Sequence, residues 1–429
     1  MSACLLLFLL WSLGAALPTA AAGAAADTLN SPVHQPASDF ADATAELAQW
    51  LSRRRQFSYR GAPYGLTGLP ILYYSQNSGW NYGGRLKLTD YRRRPFRYKV
   101  ILTWVQSEED RRDYFFRLQV PRIAGIGWGL RLQFDFSKGL RQYYGLGNDA
   151  HFDKPFIEPG HPLYRDAQYY RYSLRKPRLL FSLVRELRKP VLLALGFGLK
   201  HVEITQPGAA SLLFEQRSHR LEAGFSGLAG LMLRWDSRDD EFVPRRGVLH
   251  EWSYEISRDA SLKDFLVGAT DFRRYTLTDI RFFSLGRRTL LLANRMVFEV
   301  LHGQTPIDVY SDLGSIRRRV TGLGGDETLR GFNTNRFIDD VRFFANTALR
   351  CILHRHRLFR QYLEWNGIAF VDLGRVWPDL GSLTLAGTRM TGGAGMRLYW
   401  DEDFAVNMEA RFSAENDENR IDISLGNIF

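Results

Sequence analysis

The residues able to do chemistry in this chain are mostly aspartates and arginines, and their spacing favours ion pairing over catalysis. Asp236, Arg238, Asp239 and Asp240 stand together in Asp236–Gly247 (DSRDDEFVPRRG). Three clustered carboxylates can attract a divalent cation. An arginine between them neutralises part of that charge. The pattern fits better a turn that ties adjacent strands through ion pairs, with Pro244 and Gly247 ending it. His354 and His356 lie two apart in the basic stretch ILHRHRLFRQ, read as a turn, where positive charge disfavours a metal. There is no G-x-S-x-G elbow, no H-E-x-x-H and no phosphate-binding P-loop. Two cysteines, Cys4 and Cys351, are too few for a disulfide framework or a Cys-rich zinc site. The expectation is a protein that is not an enzyme and needs neither metal nor cofactor.

The elements that would position these residues are strands. The chain has 429 residues, with 29 Phe, 19 Tyr and 10 Trp, and is too apolar and aromatic for disorder. Period-2 alternation recurs from about residue 68 onward. In Gly129–Phe136 (GLRLQFDF), Leu130, Leu132, Phe134 and Phe136 share one face; Arg131, Gln133 and Asp135 share the other. In Leu363–Leu373 (LEWNGIAFVDL), Glu364, Asn366 and Asp372 oppose Leu363, Trp365, Ala369, Val371 and Leu373. In Phe404–Phe412 (FAVNMEARF), Asn407, Glu409 and Arg411 form the polar face. Sixteen strands can be placed, at about 69–77, 80–91, 96–107, 110–120, 127–144, 165–187, 191–205, 219–236, 247–258, 269–285, 288–301, 341–351, 363–374, 391–400, 403–412 and 420–429.

A soluble sandwich and a transmembrane barrel share this alternation. Three features favour the barrel. The strands are many and even in number. Tryptophans Trp104, Trp128, Trp235, Trp365, Trp377 and Trp400 fall near strand ends, as in interfacial girdles. Short connections such as 91–97 and 285–288 alternate with long ones such as 145–164 and 302–340. The predicted fold is all-β: an antiparallel transmembrane barrel over 67–429. A partly helical periplasmic segment (27–66, helix over Asp39–Gln56) and a signal peptide (1–26) precede it. Cys4–Ala26 carries no charge, Leu5–Leu10 is apolar, and Ala20-x-Ala22 or Ala24-x-Ala26 supplies a cleavage site; an uncleaved anchor is the alternative. No later stretch is long and apolar enough for a membrane helix.

Five stretches carry a family resemblance. Tyr143–Asn148 (YYGLGN), with Tyr144, Gly145, Gly147 and Asn148, is an aromatic-aromatic-Gly-x-Gly-Asn loop. Asp236–Gly247 is a D-x-R-D…P-x-x-G turn. Leu323–Phe332 (LGGDETLRGF) carries Gly324, Gly325, Arg330, Gly331 and Phe332. Ala369–Trp377 (AFVDLGRVW) is the strand after that loop, and Gly393–Leu398 (GAGMRL) leads to a terminal strand ending on Phe429. In their order and spacing these resemble the barrel of the BamA/TamA outer-membrane assembly and translocation superfamily, also called the bacterial surface-antigen family.

The resemblance implies a mechanism. The long loop 302–340 would fold back into the lumen, with Arg330 contacting the inward Asp372 and, as second partner, Glu409. Gly331 would allow a tight backbone turn, and Phe332 would pack against the wall. One departure is visible: Asn346–Arg350 (NTALR) has Ala348 where family members often carry Glu. Tyr310–Val320 looks like an insertion in the loop. The stretch 27–66 is too short for a POTRA repeat, so a barrel-only member, or one that borrows a periplasmic partner, is expected. The first and last strands would meet at a seam that Gly426 and Asn427 weaken. The implied role is insertion or translocation of proteins at the bacterial outer membrane. A passive or gated channel and a structural or lipid-organising barrel are the rivals. Outer-membrane lipid, lipopolysaccharide and protein clients are the expected partners of a monomeric barrel, and nucleic acid is not. Net charge is +11, and the clusters Arg92–Arg94, Arg245–Arg246 and Arg317–Arg319 are candidates for lipopolysaccharide phosphates, with lumen lining the preferred alternative.

Overall fold

The computed structural model describes residues 56–429 except 76–78, 94, 124–125, 217–223, 242, 258–270, 287–288, 318, 359–360, 401–403, 414–419 and 426–429. The expected signal peptide, the helix expected over 39–56 apart from Gln56, and Phe429 lie outside the described residues; Gln56 begins a strand.

A single antiparallel meander carries the chain. The strands are β1 (Gln56–Tyr59), β2 (Ala62–Ser75), β3 (Gly79–Asp90), β4 (Tyr98–Ser107), β5 (Arg112–Val120), β6 (Gly129–Gln142), β7 (Arg171–Arg188), β8 (Val191–Thr205), β9 (Gly224–Asp236), β10 (Gly247–Ser257), β11 (Phe272–Ser284), β12 (Leu290–Gly303), β13 (Asp312–Gly314), β14 (Arg319–Thr321), β15 (Val341–Leu358), β16 (Gln361–Trp377), β17 (Arg389–Trp400), β18 (Phe404–Ser413) and β19 (Arg420–Leu425). β13 and β14 form a separate hairpin within the loop 304–340. The other long elements, β2–β12 and β15–β19, are the sixteen expected barrel strands, each paired with its neighbour in sequence. The described ladders run from β1–β2 to β18–β19, and a closing ladder is not among them.

Side chains alternate as a barrel wall requires. Leu72, Trp80, Tyr82, Trp104, Phe197, Trp235, Met390 and Phe412 are exposed on the outside. On the inside, Asn81, Glu255, Arg274, Glu299, Arg342, Asp372, Glu409 and Arg411 are buried, although they are polar. For Glu255, Arg274, Glu299, Arg342, Asp372, Glu409 and Arg411 the loop 304–340 supplies partners. Tyr310, Leu313, Leu323, Leu329, Phe332 and Phe337 of this loop are almost wholly buried in the lumen. Trp377, expected in the girdle, is 2% exposed, because its indole Nε1 donates to the Thr384 carbonyl (3.1 Å) and the loop 378–388 folds over it.

The beginning of the barrel differs from expectation. β2 starts at Ala62 rather than 69, so residues 56–66, assigned to the segment ahead of the barrel, are strand and turn. Arg60 (φ 50°) and Gly61 (φ 74°) both take left-handed backbone, the two-residue turn that suits a twisted hairpin. Tyr64 pairs with Phe57 of β1 and with Asp90 of β3. β1 therefore lies on the edge of β2 turned away from β3. Further along, β15 runs through His354 and His356, which the sequence reading put in a turn; their rings stack at 5.2 Å on a strand. Among the described residues no group of His, Cys, Asp or Glu has the arrangement of a metal site.

Candidate functional site

The lumen loop is held by two anchors on opposite parts of the wall. The first is the arginine the motif singled out. Arg330 Nε donates to Asp372 Oδ2 (2.7 Å) and Nη2 to Oδ1 (2.8 Å), a two-pronged pair on β16. Its backbone N–H adds a third bond to Asp372 (3.2 Å). Nη1 reaches Glu409 Oε1 on β18 (3.3 Å), and Glu409 also accepts from Arg411 Nε (3.2 Å). The guanidinium lies 3.4 Å from the Phe370 ring centroid. Arginine suits the seat because its planar fork satisfies a carboxylate while its face stacks on an aromatic ring.

The motif residues around Arg330 shape this approach. Gly331 has φ +109°, and a Cβ there would come within 3.3 Å of the Phe412 backbone, so only glycine lets the loop lie against β18. Phe332 packs edge-on against Phe337 (5.1 Å) in a cluster with Leu329, Val297, Phe344 and Val376, as expected of a ring against the wall. Gly324 N–H donates to Thr328 Oγ1 (2.9 Å) and Gly325 N–H to the Phe332 carbonyl (2.9 Å), which tightens the turn that delivers Arg330. Asn346 Nδ2 donates to the Thr328 carbonyl (2.6 Å). Ala348, where the family pattern has an acid, sits in an apolar cluster with Leu249, Ile280, Phe282, Ala293, Ile368 and Phe370. Arg330 is held by two carboxylates, Asp372 and Glu409.

The second anchor was not visible in the sequence. The insertion Tyr310–Val320 contains the end of a one-turn helix (Ile307–Tyr310) and the β13–β14 hairpin. Buried charges clamp it to the walls of β7–β12 and β15. Lys200 Nζ donates to Asp308 (2.6 Å), Lys176 Nζ to Asp312 (3.1 Å) and Arg319 Nη2 to Glu255 (2.6 Å). Arg342 Nη1 donates to the Tyr310 carbonyl (2.6 Å), Arg274 Nη2 to the Val309 carbonyl (3.0 Å), and Gly314 N–H to Glu299 Oε2 (2.9 Å). Glu299 also pairs with Arg342. At the tip, Ile316 enters a notch between Gly196 of β8 and Gly230 of β9, which face each other across the ladder. A Cβ on Gly196 would lie 2.1 Å from Ile316 Cδ1. Only paired glycines leave room for that side chain. Strand alternation turns Glu255, Arg274, Glu299 and Arg342 inward, but nothing local tells which loop atoms they meet.

The remaining motifs brace the two ends. At the long-loop end, Gly147 N–H donates to the Ile338 carbonyl (2.9 Å), and Arg336 lies over the Tyr144 ring (5.1 Å). Asn148 Nδ2 donates to the Gly387 carbonyl (2.8 Å). Gly145 and Gly147 both have positive φ. The YYGLGN loop thus clasps the lumen loop from above. In the same layer, backbone N–H groups of Gln168, Ala209 and Ala210 hold the Asp166 carboxyl below its ordinary value. At the short-turn end, Asp236 pairs with Arg238 inside its own turn (2.8 Å), Asp239 accepts from the backbone N–H of Arg245 (2.9 Å), and Asp240 from that of Val243 (2.7 Å). The expected ties between adjacent strands are therefore bonds within the turn, because carboxylates this close in sequence reach the local backbone first. Pro244 is buried, and Gly247 (φ +101°) begins β10. Arg245 crosses the mouth to Glu364 on β16 (2.8 Å), which also binds Arg355.

Several arginines of the candidate lipopolysaccharide clusters have partners within the protein, and Arg317 and Arg319 of the third cluster line the lumen, the preferred alternative. Arg92 pairs with Asp90 at the short-turn end, Arg245 with Glu364, and Arg317 and Arg319 lie at the hairpin tip inside the lumen.

A family model described as the Omp85 superfamily domain matches residues 100–429. Among solved structures, the chain is similar to BamA from Haemophilus ducreyi lacking POTRA domains 1–3, at 10% identity and TM-score 0.53, over 90% of this chain and 78% of that one. It is similar to CdiB from Escherichia coli at 12% identity and TM-score 0.52, over 86% of this chain and 62% of that one, less than two thirds of its length. At such identities the likeness concerns the fold alone. No curated protein matches.

Proposed function

This chain belongs to the Omp85 superfamily, and on that premise we propose that it inserts proteins into the bacterial outer membrane or moves them across it. The observation that carries this reading is the lumen loop seated through Arg330 on Asp372 and Glu409, carboxylates of strands near the end of the meander. The loop couples the closing strands to the middle of the wall, where Asp308 of its one-turn helix and Asp312 of its hairpin pair with Lys200 and Lys176. An element that ties strands near one side of the seam to the middle of the wall is suited to sense or control the seam's width. A strand of an incoming client would add there by main-chain pairing. Clients reach the barrel directly or through a periplasmic accessory protein, and the barrel works as a monomer in outer-membrane lipid.

The competing channel reading is disfavoured by the buried loop, which fills the lumen that ions would need. Depletion of the protein followed by quantitative proteomics of the outer membrane and secreted fraction tests the proposal, with wild-type and Arg330→Ala chains returned in parallel. A joint fall of several barrel proteins that Arg330→Ala does not restore supports insertion. Loss of one secreted protein supports dedicated translocation. An unchanged proteome overturns both.

A further inference from the structure

Most lumen arginines with a buried role are matched by carboxylates: Arg178 with Asp135, Arg234 with Glu251, Arg319 with Glu255 and Arg342 with Glu299. One corner gathers four arginines without such a match. Arg85 of β3, Arg117 of β5, Arg131 of β6 and Arg317 at the hairpin tip have no carboxylate within 4.0 Å among the described residues. The first three share the inward parity of their strands, close to the short-turn end. Gln133 Oε1, a neutral oxygen, accepts from Arg117 Nε (3.1 Å), Arg117 Nη2 (3.0 Å) and Arg131 Nη2 (3.0 Å). Arg131 Nη2 also donates to the Arg317 carbonyl (3.1 Å). The Nε of Arg317 is buried without a partner.

The carboxylates around this corner are committed or remote. Asp135 is held by Arg178 and by Gln133 Nε2 (3.0 Å), and Glu251 by Arg234. Glu241, exposed on the turn 237–246, acts on Arg117, Arg131 and Arg317 through space without touching them. Like charges collected beside low-dielectric walls repel one another strongly, and an anion between them relieves that repulsion. Guanidinium forks on β3, β5 and β6 and on a loop tip match the tetrahedral oxygens of phosphate, which accept paired N–H bonds.

We infer that Arg85, Arg117, Arg131 and Arg317 form a binding site for a phosphate group, supplied as free phosphate or as a phospholipid headgroup. The bound group bridges the hairpin tip to the β5–β6 wall, so its occupancy stiffens the lumen loop. The inference does not rest on the transport reading.

Isothermal titration of the full chain in phosphate-free neutral micelles, at matched chloride, tests this with inorganic phosphate and pyrophosphate. A parallel arm compares micelles doped with phosphatidylglycerol or phosphatidylcholine. The expected result is saturable binding, weakened at least about tenfold in Arg117→Gln/Arg131→Gln and also in Arg317→Gln, and unchanged in Arg92→Gln. Binding of the soluble anions identifies free phosphate; binding seen only with phosphatidylglycerol identifies a headgroup. Either outcome supports the site. Heat-modifiable gel migration verifies the fold, and the loop variant Arg317→Gln keeps the test decisive if the wall variant misfolds. Non-saturable heats, equal affinity in folded variants, or an acidic peptide that binds where phosphate does not would overturn it.

Discussion

Removing the Arg330 guanidinium leaves Asp372 and Glu409 facing each other and Arg411 in a dry corner, with one cation fewer. Breaking a buried pair from one side costs about 3–5 kcal/mol. Arg330→Ala is expected to lose stability of that order in urea unfolding followed by gel mobility. Arg330→Lys is expected to fall near it, since an ammonium supplies the charge without the fork. Recovery by lysine would show that charge alone holds the loop. The resemblance implied this anchor; alternation adds only which residues of β16 and β18 face inward, and names no partner in the loop. The Arg342–Glu299 and Arg319–Glu255 pairs were not legible. Their partners are brought together by the fold over 43 and 64 residues of sequence, and no local pattern encodes that meeting.

At the scale of elements, the loop hairpin is a peg in the wall. Gly196→Ala puts a methyl 2.1 Å from Ile316 Cδ1, and such overpacking costs about 1–3 kcal/mol. Ile316→Ala empties the notch at about 2–5 kcal/mol. The double variant is expected to cost less than the two together, by about 0.5–3 kcal/mol, because the smaller side chain makes room for the new methyl. Additive losses would mean that the tip seats elsewhere. The insertion itself could be read from the sequence, but its peg could not: Gly196 and Gly230 look like ordinary weak points in strands until the cross-strand register sets them side by side. The strand count was legible throughout. The start of the first long strand was not, because Gly61, Pro63, Gly65 and Pro70 hide its alternation.

For the whole molecule, the loop decides whether the cylinder conducts. Reconstituted in planar bilayers, the wild-type chain is expected to pass little current, and deletion of Leu313–Val320 to raise unit conductance several-fold. Equal conductance would place the ion path away from the hairpin. The far end of the chain carries a different consequence. The strand Gln56–Tyr59 rests on the edge of β2 that looks away from β3, so whatever is joined ahead of residue 56 arrives on the line where the wall must be zipped. An affinity tag or fluorescent fusion placed there would lean on that zip and alter the behaviour it was meant to report. The same tag in the loop 378–388, where Leu380 and Leu385 are exposed, would sit at the opposite mouth and leave the closing edge untouched.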